Sequence, residues 1–70
     1  MRTGLVIRIE TERGFGIIQD ENEQHISFHL ADLTAEVSLY ELVWFKIIVT
    51  QDGLKAMITQ KDEDSEHESA

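Results

Sequence analysis

The sequence predicts an all-β domain of five short antiparallel strands, on two observations. Stretches of β-favouring residues recur along the chain, and most alternate between apolar and polar positions, as half-buried strands do. Polar or glycine-containing turns separate them, and Asp52-Gly53 is a strong signal for a two-residue hairpin turn. The five expected strands cover residues 5–9, 14–19, 25–30, 43–49 and 55–59.

The first three expected strands place a chemically mixed set of side chains on one outer face. On the glycine strand, alternation directs Gly14, Gly16 and Ile18 toward the core. On the next strand Ile26 and Phe28 point inward, so their neighbours point outward. The outward set, with Arg13 at its edge, is Arg8, Phe15, Ile17, Ser27 and His29. A ring, an imidazole and two guanidiniums can bind bases and phosphates; alternatively, the ring only covers the hairpin and the arginines are solvated.

The fourth and fifth expected strands form a hairpin with its own outer face. Alternation points Val43, Phe45, Ile47, Val49, Ala56 and Ile58 inward. A two-residue Asp52-Gly53 turn would set Ile48 opposite Met57, both outward, with Trp44 on the same side. Three large apolar side chains on one exterior face predict a surface for a protein partner or a second copy of the chain. Alternatively, the 31–42 connection or the tail covers them.

Residues 31–42 allow two interpretations. Leu33, Val37, Tyr40 and Trp44 recur at helical spacing, and Asp32 could cap a helix. Residues 33–44 would then form a helix in a hairpin–helix–hairpin α+β domain. The other interpretation is a long connection, with at most a single helical turn, before the fourth strand.

The motif Arg13-Gly14-Phe15-Gly16-Ile17-Ile18, followed by Ile26 to His29, resembles the cold-shock domain family over residues 3–60. Gly4, Leu39, Glu41, Ala56 and Ile58 match further positions of that family. The resemblance implies a five-stranded, partly open OB-fold barrel in residues 1–60, which binds single-stranded RNA or DNA across strands one to three. Residues 61–70 are charged and poor in apolar side chains, which predicts a disordered acidic tail.

The chain also departs from the family where its members usually stack bases. Where they carry Lys, Trp and three Phe residues, it has Ile7, Arg8, Ile17, Ser27 and Leu30. Each stacked base contributes ~1–3 kcal/mol, so the loss of four rings predicts weak binding. This departure also motivates the alternative function, a diverged domain that binds a protein partner or forms a homodimer.

Composition narrows the function classes further. Seventy residues make one domain with a small core, and without cysteine there is neither a disulfide nor a thiolate zinc site. We expect no cofactor and no enzymatic activity, because Glu10, Glu12 and Glu23 have no nucleophile or base beside them. We also expect no metal site, since His25 and His29 would stand about 13 Å apart on a strand.

Charge and hydropathy limit the partners. The net charge is −8, with half of it in residues 61–70, so indiscriminate nucleic-acid binding is not expected and any binding needs a local patch. The sequence contains neither a signal peptide nor an apolar run of the ~20 residues that a membrane span needs. These features predict a cytoplasmic protein without membrane contact.

Overall fold

The computed structural model describes residues 2–61, the last by its backbone only, and they form one antiparallel sheet. The strands are β1 (Arg2–Glu10), β2 (Phe15–Asp20), β3 (His25–His29), β4 (Leu42–Thr50) and β5 (Gly53–Lys61), in the order β3-β2-β1-β4-β5. The all-β prediction is confirmed, but the sheet is not closed into a barrel, since no ladder joins β3 and β5 within this range. Apart from the backbone of Lys61, the predicted acidic tail lies outside the described residues.

The core takes one or two side chains from each strand. Its fully buried members all face the concave side of the sheet: Val6, Ile18, Phe28, Val43, Phe45 and Ala56. Five of the six were predicted to point inward from alternation alone. Ile26, Ile47 and Ile58, also predicted to face inward, are partly buried against this cluster.

An irregularity in β1 turns one side chain from the concave to the convex side. Val6 pairs with the buried Ile18, whereas Arg8 pairs with Ile17, so the extra residue Ile7 forms a bulge between them. Without the bulge, Arg8 would share the inward face of Val6. The bulge therefore places the guanidinium of Arg8 on the outer face.

The two glycines of the motif have different structural roles. A Cβ on Gly16 would lie 2.4 Å from the Phe28 ring and 2.8 Å from the Arg8 carbonyl oxygen, so no side chain fits there. Gly14, which was predicted to be the first residue of the strand and to face the core, instead precedes β2 in a turn, with φ of +78°. That left-handed conformation favours glycine.

The connection between β3 and β4 is not a helix beyond the 3₁₀ turn Leu30–Asp32, so the α+β alternative is wrong. The chain bonds to β1 instead: Tyr40 N donates to Val6 O (2.5 Å) and Val6 N donates to Glu41 O (3.0 Å). Leu33 and Val37 pack against the core, which accounts for their apolar spacing without a helix.

The β4–β5 register differs from the prediction by two residues. Thr50 pairs with Gly53, so the turn residues are Gln51 and Asp52 rather than Asp52-Gly53. The Thr50 hydroxyl stabilises this turn, because it donates to Gly53 O (3.0 Å) and accepts from Asp52 N (3.2 Å). As a result Ile48 lies opposite Lys55, not opposite Met57.

The tip of this hairpin extends past the core. Val49, predicted to point inward, is 80% exposed, and Leu54 opposite it is 61% exposed. Both lie on the face of Ile47 and Ala56, but the sheet contributes no side chains to cover them at this end.

Within residues 2–61, no helical segment has the length and apolar character needed to cross a bilayer.

Candidate nucleic-acid interface

The predicted outward side chains of the first three strands form two neighbouring rows on the convex face. One row crosses the sheet as Arg8, Ile17 and Ser27, and the next as Glu10, Phe15 and His29. Members of a row are direct cross-strand neighbours, with Cβ atoms about 5 Å apart. The structure therefore brings together five of the six residues predicted for nucleic-acid binding.

Backbone hydrogen bonds fix the end of the sheet where Phe15 meets His29. Gly14 N donates to Glu10 O (2.8 Å), which closes the β1–β2 turn. Leu30 N donates to Gly14 O (2.9 Å), which ties the residue after β3 to that turn. The ring and the imidazole are thus held side by side by the main chain.

An open groove of about 480 Å³ lies at this corner and also includes the sixth predicted residue, Arg13. Its other principal lining side chains are Phe15, Ser27, His29 and Lys55. Phe15 is half-buried and His29 is exposed, so each leaves part of its ring accessible. The groove thus combines an aromatic face with cationic groups, which is the composition of a single-strand binding site.

Sequence reasoning missed Lys55. It lies on β5, at the opposite edge of the sheet from β3, yet its Nζ donates to Nε2 of His29. Alternation did indicate an outward position for Lys55, but nothing local in the sequence shows that the two edges approach each other.

Sequence reasoning also missed the ion pair between Arg8 and Glu10. Arg8 Nε lies 2.5 Å from Glu10 Oε2, and the two side chains are 59% and 31% exposed. The signal was present, since residues two apart on a strand share a face. Arg13 makes no ion pair among the described residues, so its charge is the less compensated of the two.

A second open groove of about 400 Å³ adjoins the first through Ser27. It lies between β2–β3 and the projecting hairpin, and its apolar lining comes from Ile17, Ile26, Ile47 and Leu54. This second groove therefore offers an aliphatic surface beside the first one.

The predicted partner patch is not a continuous exposed surface. Trp44, Ile48 and Met57 are all half-buried, and Lys46 and Lys55 lie opposite Met57 and Ile48. The exposed apolar side chains nearby are Leu39 (49%), Tyr40 (70%) and Leu42 (41%). Leu42 lies opposite Leu5 on the outer face, and Trp44 lies next along β4, opposite Thr3.

Among residues 2–61, no group of three or more His, Asp or Glu side chains could hold a metal ion.

Neither a protein-family model nor a curated protein matches this chain.

Proposed function

We propose that the chain binds single-stranded RNA or DNA weakly, through the outer face of β1–β3. The observation that carries the proposal is the pairing of Phe15 with His29 beside a groove lined by Arg13 and Lys55. A ring next to cations is what a flexible, anionic strand with unstacked bases requires.

In this proposal, different residues of the face contact the bases and the phosphates. Phe15 stacks a base, and His29 stacks or donates a hydrogen bond beside it. Arg13 contacts phosphate directly, whereas Arg8 contributes less because Glu10 holds its guanidinium. Ser27 lies where the two grooves adjoin, and Ile17 lines the second groove.

Affinity should be low. One stacked base contributes ~1–3 kcal/mol, and the single aromatic ring of this face is Phe15. A dissociation constant of about 1 μM requires about 8 kcal/mol in total. We expect micromolar or weaker binding that declines as salt rises.

We also propose that the fold is an OB-type arrangement and that the protein is located in the cytoplasm. A β1–β2–β3 meander with a β4–β5 hairpin paired to β1 supports an OB-type arrangement similar to cold-shock domains. The approach of β5 to β3 through Lys55 and His29 is what a partly open barrel of that type needs. A cytoplasmic location fits this role.

Titration of fluorescent oligo-dT and oligo-U at low and moderate salt tests the function. Phe15→Ala should weaken binding by ~1–3 kcal/mol. Tyr40→Ala is the matched control, because it removes an exposed ring from another part of the surface. Absence of binding by the unmodified chain at low salt, or equal losses in both variants, would contradict the proposal.

A second candidate function is protein interaction or self-association, now centred on Leu39, Tyr40 and Leu42. Three exposed apolar side chains within four residues, continued by Leu5 and Trp44, exceed isolated surface scatter. Sedimentation at increasing protein concentration would reveal a dimer, and Tyr40→Ala should abolish it. A chain that stays monomeric and binds oligonucleotides favours the first function.

A further inference from the structure

The edges of the open sheet come together at one pair of side chains. Lys55 Nζ on β5 donates to Nε2 of His29 on β3. His29 is exposed, Lys55 is half-buried, and both line the groove that contains Phe15 and Arg13. An ammonium group and an imidazole from opposite edges of the sheet therefore lie side by side in a groove that is open to solvent.

We propose that His29 and Lys55 form a phosphate-binding pair that holds a phosphodiester across the β3–β5 seam. The inference rests on the proposed function and deepens it, because it adds a binding residue, Lys55, and names the group of the nucleic acid that the pair holds.

The position of the two nitrogen-bearing groups supplies the reason. The Lys55 ammonium has three N–H donors, so it can donate to a phosphate oxygen beside its contact with His29. A ring N–H of His29 can donate to the same anion. Both side chains line the open groove, so a phosphodiester can reach them from solvent.

The charged and titratable groups around His29 come from five segments of the chain. Lys55 approaches from β5, and Arg13 borders the groove from the turn before β2. Glu10 on β1 lies in the same cross-strand row beyond Phe15, but it is paired with Arg8. Asp32 follows in the 3₁₀ turn, and His25 lies on the same strand and the same face. The groove thus retains a local cationic character although the whole chain is acidic.

The first experiment compares two histidines of β3 by their effect on oligo-dT affinity at constant pH and ionic strength. His29→Gln should weaken binding about two- to fivefold, as expected for the loss of one exposed polar contact with an anion. His25→Gln removes an imidazole from the same strand and face, but outside the groove that Lys55 lines, and should change the affinity little. Equal affinities of the two variants would overturn the inference.

The second experiment compares two lysines of the hairpin at a single pH. Lys55→Gln should weaken binding about two- to fivefold, and the slope of log affinity against log salt should become shallower by about 0.7. Lys46→Gln removes the same charge from an exposed position on β4 outside the groove, and it should change neither value. Equal effects of both variants would mean that the two lysines attract the oligonucleotide only by long-range electrostatics. That result would overturn the proposed phosphate-binding pair.

The outcomes separate the inference from the function that it rests on. If the unmodified chain binds no oligonucleotide at low salt, the function and the pair both fail. If it binds in a manner that depends on Phe15, but shows neither the His29 nor the Lys55 effect, the pair alone fails.

Discussion

Glu10 and Phe15 are direct neighbours on β1 and β2, so a carboxylate lies next to the ring proposed to stack a base. The same carboxylate holds Arg8 at 2.5 Å. It therefore repels a phosphate near Phe15 and also occupies a guanidinium that could attract one. At the scale of single residues, we expect this acid to weaken the proposed binding, although by less than the missing rings do.

Glu10→Gln should tighten oligonucleotide binding about two- to fivefold at low salt, with the gain fading as salt rises. Thermal stability should change little, since an exposed ion pair contributes about 0–1 kcal/mol. Glu12→Gln is the control, because it removes the same charge from the neighbouring turn. Equal gains from both variants would show that Glu10 acts only through net charge.

Phe28 is 1% exposed and lies over Gly16, whereas Phe15 is half-buried on the opposite face. Phe28→Ala should cost ~3–5 kcal/mol of unfolding free energy, which is enough to unfold a domain of this size. Phe15→Ala should cost much less and act mainly on binding. Thermal melts of the two variants check this, and similar losses of stability would show that the assigned faces are wrong.

At the scale of elements, alternation predicted the faces of β2 and β3 because it depends only on the two-residue repeat of a strand. Phe15, Ile17, Ser27 and His29 accordingly lie on the outer face, and Phe28 is buried. The register of β4 and β5 could not be read in the same way. It depends on which residues make the turn, and there the Thr50 hydroxyl stabilises Gln51-Asp52.

Other features could not be predicted from local sequence patterns. The bulge at Ile7 interrupts the β1–β2 pairing, and no residue type in β1 indicates its position. The contact of Lys55 with His29 joins residues 26 positions apart, which depends on how the whole sheet bends. Residues 40 and 41 likewise form backbone hydrogen bonds with Val6 instead of the hydrogen bonds of a helix. Local periodicity could not predict this, because Val6 is distant in sequence.

Val43 and Val49 provide a matched test of the hairpin within one strand. Both were predicted to point inward, but Val43 is 0% exposed and Val49 is 80% exposed. Val43→Ala should therefore cost about 2 kcal/mol or more of unfolding free energy, whereas Val49→Ala should cost less than about 0.5 kcal/mol. Urea denaturation measures both. Comparable losses would mean that the hairpin tip is covered in solution.

At the scale of the whole molecule, the negative net charge of the chain opposes binding of the anionic partner that we propose. Residues 62–70 contain five of the fourteen acidic residues and none of the six Lys and Arg residues, so deleting them reduces the net charge from −8 to −3. The deletion should strengthen oligonucleotide binding at low salt and have little effect above about 0.1 M, where the Debye length is ~10 Å. Affinities of the two proteins across a salt series check this. Identical affinities at every salt would exclude an effect of these residues on the site.

The most direct measurement of the proposed interface is a nuclear magnetic resonance titration of the isotope-labelled chain with oligo-dT at low salt. Backbone amide shifts should cluster at residues 8, 13–17, 25–30 and 55, because these positions border the groove and the row of Phe15 and His29. Residues 39–44, which include the exposed apolar side chains before and within β4, serve as the internal reference and should move least. Shifts confined to residues 39–44, or no shifts at saturating oligonucleotide, would contradict a nucleic-acid interface on β1–β3.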